Sequence, residues 1–448
     1  MTPRQQSRQT GVFSVPLERI VDPAHPLCIL AGKIAWNEFD TAFGSLYDPG
    51  NGRPGTPTRL MAGLHYLKHT FNQSDEAVVA RWVENPYWQY FCGMTDFTHE
   101  FPIDPSLMTK WRNRLKSDGM EKLLEGTIRA GLATGVIDGR SFAKVNVDTT
   151  VQEKAVTYPT DAKLYHKMRE KLVSAAEGLG IDLRQSYRFL SKNALFMQGR
   201  YSASRQPGRS RREVKKVKNY FGRVLRDIGR KLEGRSDTPS WLTDIVEFAK
   251  RLYAQKRDDK GKIYSIHAPE VECISKGKAH KKWEFGCKVS VAASSRDNFV
   301  LGIDAVHGSP YDGHTLAGAI EQVERLSGKK VGEVFVDKGY RGHDYTGSAL
   351  VHVAKRGMKK LGAALRKWMK RRSAIEPVIG HIKNDGRLGR NWLKGAEGDR
   401  MNAILSGCGY NMRKLLRWLL FFLFFVRSAV CQILRIGERA DTPSNVTA

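Results

Sequence analysis

Two apolar segments that each carry an aspartate constrain the fold of this chain more than any other feature. Residues 144–151 alternate apolar and β-branched side chains and carry Asp148, and residues 334–337 repeat the design and end in Asp337. This pattern is typical of buried strands. A carboxylate at a strand end packs poorly but binds cations well. The segments therefore predict an α/β protein with a polar site at its strand ends, and a third acid, Glu376, follows them.

The order of the predicted elements favours one α/β arrangement. The first acid-bearing strand is followed by a long helical insertion, a strand at 262–266 and an antiparallel pair at 283–292 and 299–306. A helix over 313–326, the second acid-bearing strand and a helix with Glu376 come next. Without the insertion this is the order of an RNase H-like core, in which the acid-bearing strands lie side by side and the last helix packs across them. Three distant acids are thus predicted to converge.

The predicted domain organisation has five segments. Residues 1–140 are predicted to form a helical N-terminal domain for DNA binding or oligomerisation, and residues 396–448 a C-terminal helical tail. The RNase H-like catalytic core is split into a first part, 141–156, and a remainder, 261–395. A basic helical insertion, 157–260, separates the two parts.

Two short amphipathic helices in the N-terminal domain resemble a helix-turn-helix. They are predicted over 60–69 and 77–83, with a polar turn between them. His65 and His69 lie four residues apart in the first helix but lack the neighbouring acid of a zinc-protease motif. We interpret both histidines as packing or surface residues.

The charge of the chain predicts a polyanionic partner. Its 448 residues carry a formal net charge of +28, and such a surface attracts phosphate backbones, so double-stranded DNA is the predicted partner. A basic ribosomal or membrane-surface protein is the alternative. The six cysteines form no Cys-x-x-Cys pair, which favours a reducing, cytoplasmic location, here associated with the nucleoid. The apolar run 418–426 is about half of the roughly 20 residues that a membrane span needs, which predicts a helix packed on the core or on a partner subunit.

Residues 201–231 combine a helical apolar stripe with an unusually basic surface. Eleven lysines and arginines accompany two acids, and apolar side chains recur at intervals of three and four residues. We predict an amphipathic helix whose outer face contacts phosphates, against the alternative of a merely solvated face. Four of its basic residues are predicted to bind DNA and are called the insertion patch: Arg211, Arg212, Lys215 and Lys216.

Three carboxylates suit the chemistry of phosphodiester cleavage. That reaction must activate a water molecule or a 3′-hydroxyl group and stabilise the departing oxygen, and two magnesium ions about 4 Å apart do both. We therefore predict Asp148, Asp337 and Glu376 as catalytic residues and as ligands of two Mg²⁺ ions per active site, with Mn²⁺ as a substitute. Asp304 and Asp312 are alternatives for the middle acid, although Asp312 is predicted to cap a helix.

Several runs of residues resemble those of bacterial DDE transposases, most closely the IS-five group of the IS-four-like superfamily. The three catalytic blocks of that family are matched in the right order by residues 147–152 (VDTTVQ), 336–342 (VDKGYRG) and 372–377 (RSAIEP). Residues 158–164 and 311–316 also match the habits of the group.

This resemblance implies an RNase H-like catalytic domain, two divalent ions and movement of an insertion sequence. The family's acidic triad falls on the three acids predicted above. Its tyrosine-arginine-glutamate-lysine signature is matched by Arg372, Glu376 and Lys383, whereas Met369 stands at the tyrosine position. Four basic residues near the acids are predicted to contact DNA: Lys338, Arg341, Arg372 and Lys383.

The predicted function is that of a transposase that cleaves and transfers DNA strands, with divalent metal, at the inverted-repeat ends of an insertion sequence. A homodimer on DNA is expected because two ends must be processed together. Two alternatives remain open. One is a non-catalytic DNA-binding protein derived from a transposase, and the other is an RNase H-like nuclease without strand transfer.

Overall fold

The chain forms two compact units. The computed structural model describes residues 15–48, 51, 54–233, 235, 237–275, 282–355 and 362–440, with the backbone alone from residue 426 onwards. The first unit combines Met1–Gln152 with Lys288–Ala448, and the second is Glu153–Cys287. The predicted basic insertion, 157–260, lies within the second unit.

Helices and strands are numbered in chain order over the described ranges. The helices are α1 (Pro26–Lys33), α2 (Trp36–Gly44), α3 (Thr58–Thr70), α4 (Asp75–Glu84), α5 (Pro86–Phe91), α6 (Ser106–Ala133), α7 (Asp161–Gly178), α8 (Arg188–Ala203), α9 (Pro207–Leu232), α10 (Ser240–Ala254), α11 (Leu316–Ser327), α12 (Ala363–Arg371), α13 (Ile375–Asn384) and α14 (Gly395–Ala440). The strands are β1 (Lys144–Glu153), β2 (Glu272–Ile274), β3 (Glu284–Ser294), β4 (Val300–Val306), β5 (Glu333–Val336) and β6 (Leu350–Val353).

A mixed sheet forms the centre of the first unit, with strand order β4-β3-β1-β5-β6. β3 and β4 are antiparallel, as predicted, and β5 is parallel to both β1 and β6. The end of β3 meets the start of β1, where the Ser295 N–H donates to the Lys144 carbonyl over 2.9 Å, so these strands are antiparallel. In the second unit, β2 pairs with the first residues of β3.

β1 is buried along almost its whole length. Among its ten residues only Lys144, Asp148 and Glu153 are partly exposed. The sequence predicts Asp148 at the end of this strand, but β1 continues five residues further, because Lys154 still pairs with the Phe285 carbonyl of β3. A partly exposed carboxylate in the middle of a buried strand therefore marks an opening in the packing.

Both helices of the predicted N-terminal pair are present as α3 and α4. The buried residues of α3 include nearly every one of its side chains, so this helix forms the centre of the N-terminal packing. The exposed surface of α4 includes Glu76 and Glu84, whose charges repel phosphate. The geometry of two helices joined by a turn is confirmed, but neither helix offers the exposed basic face that a DNA-reading helix needs.

A buried ionic group joins these N-terminal helices. Asp75, the first residue of α4, accepts hydrogen bonds from Lys68 over 2.7 Å and from Arg112 over 2.6 Å. Lys68 and Arg112 are both almost completely buried. Because two cations share one acid here, removal of that acid would leave buried charge without compensation.

The long helix α6 is interrupted at Lys116, whose backbone angles are φ 55° and ψ −165°. The break leaves the Ser117 N–H without a helical acceptor, and the side chain of Glu397 accepts it instead. Glu397 belongs to α14, so a residue from the far end of the chain caps the second half of α6.

The C-terminal helix is longer than the apolar run predicts. α14 packs on α3, α6 and β4, and its buried side chains include Leu415 and Leu419, but most described side chains of the apolar run are exposed, so the predicted packing of that run on the core is not confirmed. Further along, Leu420, Phe421 and Phe424 are exposed. Within the part of the chain that the structure describes, no helix is long and apolar enough to cross a membrane.

Helices α7 to α10 of the second unit enclose a hydrophobic core of their own. α9 confirms the predicted amphipathic helix, because its buried residues include Val217, Phe221, Val224 and Ile228. The predicted strand at 262–266 is wrong. The side chain of Gln255 both accepts from and donates to the backbone of Ile263, and this local pairing replaces a neighbouring strand.

Candidate active site

Two of the predicted catalytic acids lie in or directly after the parallel strands β1 and β5. The register pairs Asn146 with Phe335, and two residues further along each chain come Asp148 and Asp337. Each carboxylate has one oxygen oriented by a backbone amide. The Thr149 N–H donates to Asp148 over 2.7 Å, and the Gly339 N–H donates to Asp337 over 2.8 Å. Both carboxylates are partly exposed, so they can meet a ligand.

Gly339 allows a third carboxylate to approach this pair. A Cβ atom at position 339 would lie 2.9 Å from Asp337 Oδ1 and 3.2 Å from Asp312 Oδ2. The first distance is shorter than real Cβ atoms show, so a larger residue at position 339 would displace the carboxylate of Asp337. The two nearby carboxylates therefore give a steric reason for a glycine at position 339 of the predicted second catalytic block.

Asp312 does not cap a helix, which corrects the sequence prediction. It opens a short 3₁₀ turn before α11, and that turn shows no side-chain cap. Its Oδ1 instead accepts the Thr149 hydroxyl and the Lys288 ammonium, each over 2.8 Å. The Lys288 ammonium also donates to the carbonyl of Pro310. Because both partners come from distant strands, no local sequence signal could reveal this role.

Tyr340 lies beneath the three aspartates with its ring completely buried. Its hydroxyl meets no hydrogen-bond partner in good geometry among the described residues. Burial, followed by the negative charges of Asp148 and Asp312, raises the pKa of Tyr340 far above its usual value, against a smaller opposite effect of Thr315. The phenol therefore stays protonated and can donate its proton in a hydrogen bond to an acceptor at this site.

Glu376 is carried by α13 and not by the strands that lead to the two aspartates. It is the second residue of α13, which begins at Ile375 as Pro377 predicts, and its side chain is 63% exposed. Its carboxylate lies 3.5 Å from the guanidinium group of Arg372. The carbonyl of Arg371 accepts a hydrogen bond from Asn146 over 3.2 Å, which anchors the chain before α13 to β1.

The predicted triad is compatible with two ions but not with a single shared one. Within the described ranges, Asp148, Asp337 and Glu376 do not form a group whose ligand atoms all lie within 4.8 Å of one another. Two ions about 4 Å apart, each bound at about 2 Å, span acids that do not touch. Carboxylate oxygens are the ligands that Mg²⁺ and Mn²⁺ prefer. The donor set therefore fits hard divalent cations.

The alternative acid Asp304 lies outside this cluster. Both of its oxygens accept hydrogen bonds from Arg400 of α14, over 3.0 and 3.2 Å. Burial raises the pKa of Asp304, and Arg400 opposes the effect. This residue therefore has a structural partner, whereas Asp312 joins the site.

The predicted DNA-binding residues occupy surfaces that solvent reaches. Lys338 and Arg341 are exposed on the loop that follows β5, directly after Asp337. Arg372 and Lys383 are partly buried. All four residues of the insertion patch are exposed on α9. Met369, at the position where the family has tyrosine, is buried and packs in the core.

Comparison with known proteins identifies two transposase domains in the chain. Residues 15–114 match a family described as a transposase domain (DUF772), and residues 261–412 match one described as a transposase DDE domain. The second range contains Asp312, Asp337 and Glu376. An uncharacterized protein, ORF8 in the nfe locus of Rhizobium meliloti, is 51% identical over 203 residues, which are 45% of this chain and 98% of the relative. No solved structure matches the chain.

A mixed α/β protein with paired strand aspartates and these two domains is a transposase. The chain belongs to the DDE transposases. The family resemblance seen in the sequence is thereby confirmed.

Sequence reasoning missed the surroundings of the aspartate pair. Asp312 and Tyr340 both lie within runs that resemble the family, residues 311–316 and 336–342, so their positions carried a signal. The sequence gives no signal for the role of Tyr340, because a tyrosine after a strand is usually a packing residue. Lys288 carries no signal, since it is one cation among many in a basic chain.

Proposed function

We propose that this transposase cleaves DNA and transfers the cut strands at the inverted-repeat ends of an insertion sequence, using Asp148, Asp337 and Glu376 with two Mg²⁺ ions. The observation that supports the proposal is the parallel pairing of β1 with β5, in which Asp148 and Asp337 each come two residues after the paired Asn146 and Phe335. Mn²⁺ substitutes for Mg²⁺ because both favour oxygen ligands.

The strand directions support an RNase H-like core. β4, β3 and β1 are successively antiparallel, and β1, β5 and β6 are parallel. A helix, α11, connects β4 to β5. This is the arrangement that the order of elements predicts once the insertion is removed.

The residues of the chain would divide the work as follows. When bound, the metal ions activate the attacking oxygen and stabilise the departing one. Asp148 and Asp337 hold their orientation through the amides of Thr149 and Gly339. The exposed Lys338, which follows Asp337 directly, supplies positive charge for a DNA phosphate beside the acids.

DNA binding is proposed to involve four basic residues near the acids together with the insertion patch. The side chains of the insertion patch are exposed on α9, and this exposure supports the role because exposed cations can contact DNA phosphates directly. A homodimer on DNA is proposed, since two ends must be joined in one reaction. We also propose a cytoplasmic, nucleoid-associated location.

The test is DNA cleavage by the purified chain with Mg²⁺ on duplexes that carry the element's ends. Asp148→Asn should abolish cleavage while DNA binding, followed by fluorescence anisotropy, stays close to wild type. Glu321→Gln removes an exposed acid from α11 and serves as the matched control that keeps cleavage. Cleavage retained by Asp148→Asn would refute the assignment of the catalytic acid.

A strand-transfer assay separates the proposal from its two alternatives. Pre-cleaved ends incubated with target DNA and Mg²⁺ should give joined products. A nuclease would cut without joining, and a non-catalytic DNA-binding protein would do neither.

A further inference from the structure

Asp312 connects the two strands that carry the catalytic aspartates. Its Oδ1 accepts the hydroxyl of Thr149, the residue directly after Asp148 on β1. Its Oδ2 lies against Gly339, within the turn that follows Asp337. The carboxylate of Asp312 thus bonds the side chain that follows Asp148 and lies beside the turn that follows Asp337, although Asp312 lies on neither strand.

Lys288 balances the charge of Asp312. The ammonium group is almost completely buried and lies 2.8 Å from Asp312 Oδ1. A buried lysine is stable only beside a negative partner, and the pair together adds no net charge to the site. Lys288 therefore largely neutralises the charge of Asp312, which favours a structural role for Asp312 over direct binding of a metal ion.

Tyr340 supplies a second, independent sign that a ligand belongs at this place. Its fully buried hydroxyl lies in the field of Asp148, Asp312 and Asp337 and meets no good hydrogen-bond partner among the described residues. Buried hydroxyls are nearly always paired, so this donor is arranged for an acceptor that arrives with the ligand. An oxygen of a hydrated cation or of a phosphate provides one.

We propose that Asp312 is a positioning residue that holds Asp148 and Asp337 at the separation that divalent cations require. The inference rests on the metal-dependent function proposed above. The hydrogen bond of Asp312 with Thr149 and its approach to Gly339 link β1 to the turn after β5, and we call this link the bracket. The ammonium of Lys288 holds Asp312 in that position. Residues that orient metal ligands commonly change metal affinity by about 10- to 100-fold when they are removed.

The test measures Mn²⁺ binding by isothermal titration calorimetry on the full-length chain, without DNA and without turnover. Asp312→Ala should weaken Mn²⁺ binding by about 10-fold or more, because the bracket is lost. Asp312→Asn combined with Lys288→Met should stay close to wild type, because an amide oxygen still accepts from Thr149 and no buried ammonium is left without a negative partner. Thermal unfolding of each variant without metal shows that the fold persists.

A second pair of variants tests the other end of the bracket. Thr149→Val removes the hydroxyl with little change of shape and should weaken Mn²⁺ binding, whereas Thr149→Ser keeps the hydroxyl and should restore it. Glu321→Gln is the control for loss of an acid elsewhere. Agreement of both pairs supports the bracket.

Three results would overturn the inference, each in a distinguishable way. Wild-type affinity in Asp312→Ala would show that the bracket is unnecessary. Equal weakening in Asp312→Ala and in the Asp312→Asn, Lys288→Met double variant would show that the carboxylate acts through its charge, as a ligand, and not by positioning. Absence of Mn²⁺ binding in the wild-type chain would overturn the proposed metal site itself, and the bracket with it.

Discussion

His65 makes the N-terminal helices sensitive to acid. It is completely buried in α3, and its ring Nδ1 lies 2.7 Å from the carbonyl of Met61. Its Nε2 faces the guanidinium group of Arg112 at 3.4 Å. The contacts fit a neutral ring that donates to Met61 and accepts from Arg112. Protonation at Nε2 would place two cations against each other inside the core.

Burial and the positive charge of Arg112 lower the pKa of His65 from 6.5 to about 3. Between pH 6.5 and about 3, His65 binds a proton in the unfolded chain but stays neutral in the folded chain. The stability that neutral His65 provides is therefore complete above pH 6.5 and is lost as the pH falls towards 3. From pH 7 to pH 5 the loss amounts to about 2 kcal/mol. His69, also buried with a lowered pKa, acts in the same direction.

The assay is amide hydrogen exchange of residues 58–70 at pH 7 and pH 5, corrected for intrinsic exchange rates. Exchange reports the local opening of α3, which suits a chain of two units that need not unfold together. In the wild type, the opening free energy should fall by at least about 2 kcal/mol between these pH values. His65→Gln keeps an acceptor for Arg112 and should reduce that fall by about 2 kcal/mol.

His99→Gln is the matched control, because His99 is an exposed histidine outside α3. Its pH dependence should equal that of the wild type. An unchanged fall in His65→Gln, or a wild-type α3 that opens less readily at pH 5, would refute the reasoning.

Three further predictions follow from charge, sterics and hydrogen bonding. Alanine at all four positions of the insertion patch should reduce the slope of log affinity against log salt by up to about 3.6 in anisotropy titrations, and an unchanged slope would place the DNA elsewhere. Gly339→Ala should weaken both DNA cleavage and Mn²⁺ binding with little change in melting temperature, because the new Cβ would lie 2.9 Å from Asp337 Oδ1. Asn411→Ala should lower the free energy of unfolding in urea by about 1 to 3 kcal/mol, since Asn411 bonds both backbone groups of Val300 and the hydroxyl of Thr127; equal urea midpoints would contradict this.

Elements with a strong local pattern could be predicted from the sequence. The apolar spacing of residues 201–231 predicts α9, and the polar turn between two apolar runs predicts the pairing of β3 with β4. The acid-bearing strands β1 and β5 also follow from pattern alone. In each case burial of a helix face or of a whole strand dictates which residues are apolar, so the signal lies within a short stretch.

Features that depend on distant partners could not be predicted. An aspartate before a helix usually caps it, but the hydroxyl of Thr149 and the ammonium of Lys288 hold Asp312 elsewhere. The strand expected at 262–266 fails because a side chain, Gln255, takes the backbone bonds that a neighbouring strand would have made. Tertiary contacts decide both cases, and neither leaves a trace in nearby residues.

The cap that Glu397 places on α6 gives the biosynthesis of this chain a definite order. A ribosome has completed Ser117 long before it reaches Glu397, so the second half of α6 stays uncapped until the last part of the chain emerges. α14 also packs on α3, so the apolar surface of α3 that α14 buries stays exposed until α14 has been synthesised. We expect premature termination ahead of α14 to yield a product that proteases remove, so that only finished molecules accumulate in the cell.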